Sequence, residues 1–170
     1  MILKYVTKNE LEQIRNKALT TKMYKGQRAY LIIETLSRTG VRVHELIQII
    51  CSDLRNKQLI VRGKGNNIRN IDIDSNLYFM LKTHCKQKGM SPNSRIFDLT
   101  RNGVYKLCKK VCGLNPHAFR HSYAIELLRV TKNIRYVQLQ LGHSTMKTTE
   151  IYLRYMEYDD EKNKIGELYR

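Results

Sequence analysis

Four short segments concentrate side chains suited to chemistry at phosphorus: Thr39–Leu46 (TGVRVHEL), Gly63–Gly65 (GKG), Pro116–Tyr123 (PHAFRHSY) and Leu141–Tyr152 (LGHSTMKTTEIY). Taken singly, each has an ordinary reading. An arginine near a helix start is a solvated charge, a lysine among glycines is a turn residue, and a helical histidine is structural. Taken together they supply two arginines, a lysine, two histidines and a tyrosine, with no cluster of acids to hold a divalent metal. Two guanidinium groups can make bidentate contacts to the nonbridging oxygens of a phosphate and stabilise the charge that builds there in the transition state. A lysine such as Lys64 can protonate a leaving alkoxide, a histidine such as His117 can act as acid or base, and a tyrosine hydroxyl can attack phosphorus covalently. The set points to phosphoryl transfer without magnesium. His117 and Arg120, three positions apart, share one face of a helix, as such a pocket requires.

The elements that must hold these groups are legible from periodicity. Thr7-Lys8-Asn9-Glu10 has the spacing of a capping box, and Leu11, Ile14, Arg15 and Ala18 predict a helix over 8–19. A second helix over 27–38 stops at Thr39-Gly40, where glycine suits a left-handed C-terminal position. The next begins almost at once and runs through Val43, Leu46, Ile47 and Ile50, with Arg42 in its first turn and Glu45 sharing its face. The period then changes. Residues 58–62 and 68–73 are rich in β-branched side chains and flank Gly63–Asn67, which predicts a hairpin with Lys64 in its turn. Further helices are expected from residue 76 to Gly89, over 101–112, from Pro116 to about residue 130, over 134–141 and over 146–156. The expected fold class is mainly α with a small antiparallel β-sheet, an α+β arrangement.

The chain has 170 residues, one domain's length, and its 42% hydrophobic and 27% charged residues are those of a globular protein. Lys and Arg number 31 against 15 Asp and Glu, a net charge of +16 that calls for a polyanionic partner, nucleic acid being the commonest. The last fourteen residues, 157–170, hold five of the acids and three of the bases, which leaves 28 bases and 10 acids in the body. An acidic end on a basic body is suited to docking on a basic neighbour or to solvation as a helix end. No run approaches the roughly 18 apolar residues of a membrane span and no secretion signal opens the chain, so a soluble intracellular protein is expected. Cys51, Cys85, Cys108 and Cys112 are then reduced. Only four residues separate Cys108 and Cys112 from His117 and His121, against about 12 in a zinc finger, so the cysteines read as buried apolar groups and no metal site is expected.

In order along the chain, the four segments resemble the tyrosine recombinase (phage integrase) family, and the resemblance covers nearly the whole sequence. Arg42 lies in a T-G-x-R-x-x-E-L context, Lys64 in a G-K-G hairpin turn, His117 and Arg120 in H-x-x-R-H, and His143 in L-G-H with Tyr152 nine residues later. The resemblance implies a site-specific recombinase that cleaves and rejoins DNA through a 3′-phosphotyrosyl intermediate with no metal, ATP or other cofactor. It implies that Tyr152 is the nucleophile and that Lys64 protonates the leaving 5′-hydroxyl. Arg42, Arg120 and His143 would hold the nonbridging oxygens, and His117 would accept the tyrosine proton or hold the pocket's charge. Glu45 would buttress Arg42, and Thr148 and Thr149 would orient the helix carrying Tyr152. Tyr155 and Tyr158 lack the spacing from His143 that marks the nucleophile. His121 reads as a supporting or core histidine, and His44 and His84 as surface or packing residues.

The same resemblance frames the domains and partners. Residues 1–156 correspond to the catalytic domain. The N-terminal core-binding domain that closes the family's clamp around DNA is expected to be absent, and residues 157–170 are a tail that can pack into a neighbouring protomer. The implied partner is double-stranded DNA, with a homotetramer on DNA, a monomer in free solution, accessory DNA-bending or directionality proteins, no membrane, and a cytoplasmic, nucleoid-associated location. Two other classes share parts of this pattern. A type IB topoisomerase would nick and relax instead of exchanging strands, and a non-catalytic DNA-binding relic would have lost the nucleophile or an arginine, all of which are present here.

Overall fold

A computed structural model describes residues 4–21, 26–63, 65 and 67–156. Lys64 and the tail 157–170 lie outside the described residues. The capping box is formed at the first helix, α1 (Lys8–Thr20): the Thr7 hydroxyl accepts from the Glu10 amide, and the Glu10 carboxylate accepts from the Thr7 amide at 2.8 Å. The second helix, α2 (Gln27–Thr39), is the central element. It buries Leu31, Ile32, Ile33 and Leu36 and packs on α1, on α4 (Ser75–Gln87) and on α6 (Pro116–Thr131). Its one buried carboxylate, Glu34, pairs with Arg15 and Arg38. Gly40 ends it at φ +60°, the left-handed conformation that glycine adopts without steric cost.

Helix α3 (Val43–Leu46) is shorter than the apolar spacing through Ile50 predicts. The chain leaves the helix because Ile50 forms a β-bridge with Arg95 and donates its amide to the Asp53 carboxylate at 3.0 Å. A 3-10 turn (Cys51–Asp53) then leads to a two-residue strand, β1 (Leu54–Arg55). The expected hairpin is present as β2 (Gln58–Arg62) and β3 (Ile68–Asp72), and β1 extends it to an antiparallel sheet in the order β1-β2-β3. In this register Leu59 sits between Leu54 and Ile71, all three buried. The β1–β2 turn is Asn56-Lys57, both with positive φ, the conformation of a tight hairpin turn.

Helices α5 (Arg101–Cys112), α6, α7 (Ile134–Leu141) and α8 (147–156) complete the domain. Asn115 caps α6 by accepting from the His117 amide, with Pro116 at the first helical position. The main core runs from α1 to the start of α6, around Phe97, Phe119, Leu36 and Leu46. A second, smaller cluster joins the rest of α6 to α7 and α8 through Ala124, Ile125, Leu128, Val137, Leu141 and Tyr152. Cys108 lies in the main core, and the Cys112 thiol donates to the Cys108 carbonyl. Among the described residues no helix is long and apolar enough to cross a membrane.

Candidate active site

Arg42 stands just before α3, where the chain is still extended, and its amide donates to the Glu45 carboxylate at 2.7 Å. Its guanidinium reaches the same carboxylate with Nη1 at 3.2 Å and is otherwise partly open to solvent. Glu45 is fully buried, and burial alone would push its carboxyl pKa up. Hydrogen bonds and charge from Arg69, with the Arg42 amide, hold it below the usual carboxylate value. Arg69, on β3, makes two parallel bonds to Glu45, both at 2.9 Å.

Arg120 projects from α6 into the interior, where 4% of its surface is exposed. Nη1 donates to the Gly40 carbonyl at 2.6 Å and Nη2 to the Leu141 carbonyl at 2.7 Å. Those carbonyls belong to the C-terminal ends of α2 and α7, whose last carbonyls lack helical partners and carry the negative end of the helix dipole. Among the described residues no carboxylate bonds Arg120 directly; burial, and then Arg42, bring its pKa down to about 10, so it stays cationic at neutral pH.

His143 follows Gly142, the left-handed residue that ends α7, and faces the opening of α8. Its Nδ1 is 2.9 Å from the Thr149 hydroxyl, and its backbone carbonyl accepts from Gln138 Nε2. A hydroxyl donating to Nδ1 leaves Nε2 carrying the proton, the tautomer that can donate to an oxyanion. Burial first, then Arg120 and Arg42, lower its pKa to about 4, so the ring is neutral at pH 7. The Tyr152 ring lies nearly parallel to it, 13° apart in plane with centroids 6.3 Å apart.

Tyr152, on α8, is 3% exposed, and its hydroxyl is 3.1 Å from His121 Nδ1. Burial raises the phenol's pKa, opposed by the charges of Arg120 and Arg42. His121 is itself pushed down to about 4, by burial and then by His117 and Arg120. His117, one turn earlier on α6, lies at the surface 3.4 Å from the Tyr105 hydroxyl; partial desolvation of its ring, then Arg120 and Arg42, lower its pKa. A cleft of about 740 Å³ opens beside Arg42 and His143, lined also by Gly63, Arg69 and Arg135 among others.

The structure thus brings Arg42, Arg120, His143 and Tyr152 to one place, with His117 at its edge. Lys64 is not among the described residues, but Gly63 and Asn67, which bracket its turn, are joined by a 2.8 Å backbone bond and line the same cleft. Thr149 acts on His143, while Thr148 pairs with the Thr145 hydroxyl. His121, expected as a supporting or core histidine, is the histidine in contact with the Tyr152 hydroxyl. One group escaped sequence reasoning: Arg69, a polar residue in an alternating strand, carried no signal there.

Residues 4–157 match the phage integrase family, and the chain belongs to that family. The tyrosine recombinase of Pseudothermotoga lettingae is 33% identical over 157 residues, covering 83% of this chain and 55% of the relative. The tyrosine recombinase XerD of Staphylococcus haemolyticus is 35% identical over 147 residues, 75% of this chain and 50% of that one. The chain spans about half the length of these relatives. Among solved structures, the XerA recombinase superposes with a TM-score of 0.76 at 25% identity, covering 92% of this chain and 63% of that one. The catalytic domain of bacteriophage HP1 integrase shares the fold, with a TM-score of 0.72 at 17% identity over 91% of this chain and 89% of that domain.

Proposed function

We propose that this chain carries the catalytic domain of a site-specific DNA recombinase, cleaving one strand through a 3′-phosphotyrosyl bond and rejoining it to a new partner. The carrying observation is the convergence of Arg42, Arg120, His143 and Tyr152, spread over two helices and two connecting segments, with both arginines acting electrostatically on the Tyr152 hydroxyl. In the forward step the Tyr152 oxygen attacks phosphorus as its proton leaves to a histidine. His117 is the proposed acceptor, while His121 is the ring that touches the hydroxyl. The bond to the 5′-oxygen breaks, and Lys64 supplies that oxygen's proton. Arg42, Arg120 and the Nε2 of a neutral His143 bind the nonbridging oxygens, where charge grows. One phosphoester replaces another, so no energy source is consumed, and attack by a partner strand's 5′-hydroxyl reverses the step.

Residues 1–156 form the proposed catalytic domain, and 157–170 a segment that packs into a neighbouring protomer. The working unit is a homotetramer on double-stranded DNA, assembled from monomers, assisted by DNA-bending or directionality proteins, and located with the nucleoid in the cytoplasm. A net charge of +16 supports the choice of DNA.

The test is covalent capture. The protein is incubated with a randomised library of nicked duplexes, and adducts surviving denaturant are isolated and sequenced, beside Tyr152→Phe. Adducts with the wild type alone, sharing a sequence, are expected. No adduct from the wild type, or equal adducts from Tyr152→Phe, overturns the proposal. Paired copies of the recovered site should then recombine; relaxation of supercoils without exchange would point to a topoisomerase instead.

A further inference from the structure

Arg69 joins three parts of the site that come from different elements, the Glu45–Arg42 pair at α3, the end of α7 before His143, and the β2–β3 hairpin. Its Nη1 and Nη2 hold the two oxygens of Glu45, the residue that grips Arg42 through amide and guanidinium. Its Nε donates to the Gln140 carbonyl at 3.0 Å, in the last turn of α7 just before His143. Its guanidinium lies flat against Gly142, where a Cβ would meet Nη1, Cζ and Nε at 2.8, 2.9 and 3.0 Å. Gly63, beside Lys64, faces the same pair, with Glu45 Oε1 at 3.7 Å and Arg69 Nη1 at 3.8 Å from its Cβ position. Residue 69 itself follows the Lys64 turn on β3, opposite Val61.

A carboxylate offers two oxygens and favours a two-pronged guanidinium. Glu45 gives that geometry to Arg69, while Arg42 keeps one longer 3.2 Å contact, so that among the described residues its remaining N–H donors are left for the cleft. Were Arg69 removed, the buried carboxylate would keep only Arg42 as a hydrogen-bonded counter-charge, with Arg120 acting at longer range, and the Arg42 fork would turn inward onto Glu45.

We infer that Arg69 is the positioning residue of the proposed strand-cleavage reaction. It occupies Glu45 so that Arg42 faces the phosphate, and it ties the Lys64 hairpin to the His143 turn. The inference rests on the recombinase reading. A lysine at this position keeps the charge but cannot supply two parallel donors together with a third to a carbonyl.

The decisive experiment is single-turnover cleavage of the captured nicked duplex by Arg69→Lys and Arg69→Ala, with duplex affinity measured on each. Arg69→Lys is expected to slow cleavage at saturating DNA by about 100-fold, the effect of misplacing a catalytic group by about an ångström, while affinity stays within about threefold. Because Arg69 holds the Glu45 proton off, Arg69→Ala should also shift the acid limb of its pH–rate profile to higher pH than in the wild type. Methylguanidinium added to Arg69→Ala should restore part of the rate, which repair of a merely packed side chain would not do. Arg69→Lys cleaving within about twofold of wild type, or losing affinity and rate in equal measure, overturns the inference. If the wild type forms no adduct at all, it is the recombinase reading that falls.

Discussion

Replacing Glu45 by glutamine changes one oxygen to nitrogen and leaves the shape intact, so its effect reads the electrostatics of the site directly. The native carboxylate is fully buried and accepts four hydrogen bonds: two from Arg69, one from the Arg42 guanidinium and one from the Arg42 amide. A glutamine accepts through one oxygen only, and its NH2 group points a donor at donors. It also leaves Arg42, Arg69 and nearby Arg120 as a cationic group with no counter-charge among them. Breaking a buried pair by removing one partner costs about 3–5 kcal/mol, because the other charge stays buried and uncompensated. For a domain of this size that corresponds to a fall in Tm of roughly 6–20 °C. Denaturant unfolding of Glu45→Gln beside Glu126→Gln provides the scale, since the exposed Lys8–Glu126 pair is worth less than about 1 kcal/mol. Sulfate should stabilise Glu45→Gln more than wild type, by binding the uncovered cations in the native state alone. A loss under about 1 kcal/mol, or no difference in the response to sulfate, would refute the view that Glu45 neutralises this cluster.

His121 and His143 titrate near 4 in the folded chain against the usual 6.5, so the unfolded chain binds more protons between these values and stability falls with pH from about 6.5 toward 4. After allowance for solvent screening, urea titrations should show a loss of about 1.5 kcal/mol per pH unit across that window, reduced by half in His143→Gln. Gly40→Ala places a Cβ 2.5 Å from the Tyr123 ring at a φ of +60°, and should lower stability by about 2–4 kcal/mol, read as the denaturation midpoint. Duplex affinity should fall about 1,000-fold between 50 and 200 mM salt in a filter-binding titration, because phosphate contacts supply most of it; tight binding indifferent to salt would contradict this.

Local signals were enough wherever an element is closed by its own residues. The Thr7–Glu10 box, the left-handed Gly40, the Asn115-Pro116 start of α6 and the β2–β3 alternation each specify a boundary within a few positions. Helix α3 was read too long because what stops it is distant: Ile50 pairs with Arg95, across 45 positions of chain. Strand β1 was missed because two residues carry no period, although Asn56 at its turn is a residue that tolerates positive φ. In the site, side-chain types and their order along the chain named the groups that the fold gathers. The partnerships were not legible: Arg69 finds Glu45 and Gln140 at separations of 24 and 71 residues, and no spacing rule connects strand residues to such partners. Nor does the sequence tell that the Tyr152 hydroxyl rests against His121, a contact created by the packing of α8 on α6.

Arg120 ties the final carbonyls of two helices that are a hundred residues apart, and this makes it a keystone of the architecture as well as an anion-binding group. A gene copy released from selection for strand exchange, but still selected to fold and cover DNA, would keep this guanidinium. Among the described residues the phenolic oxygen of Tyr152 has a single hydrogen-bonding neighbour, His121, and would be the first to go. Among decaying descendants of such a protein, the persistence of the buried arginine therefore reports folding, and only the phenol reports catalysis.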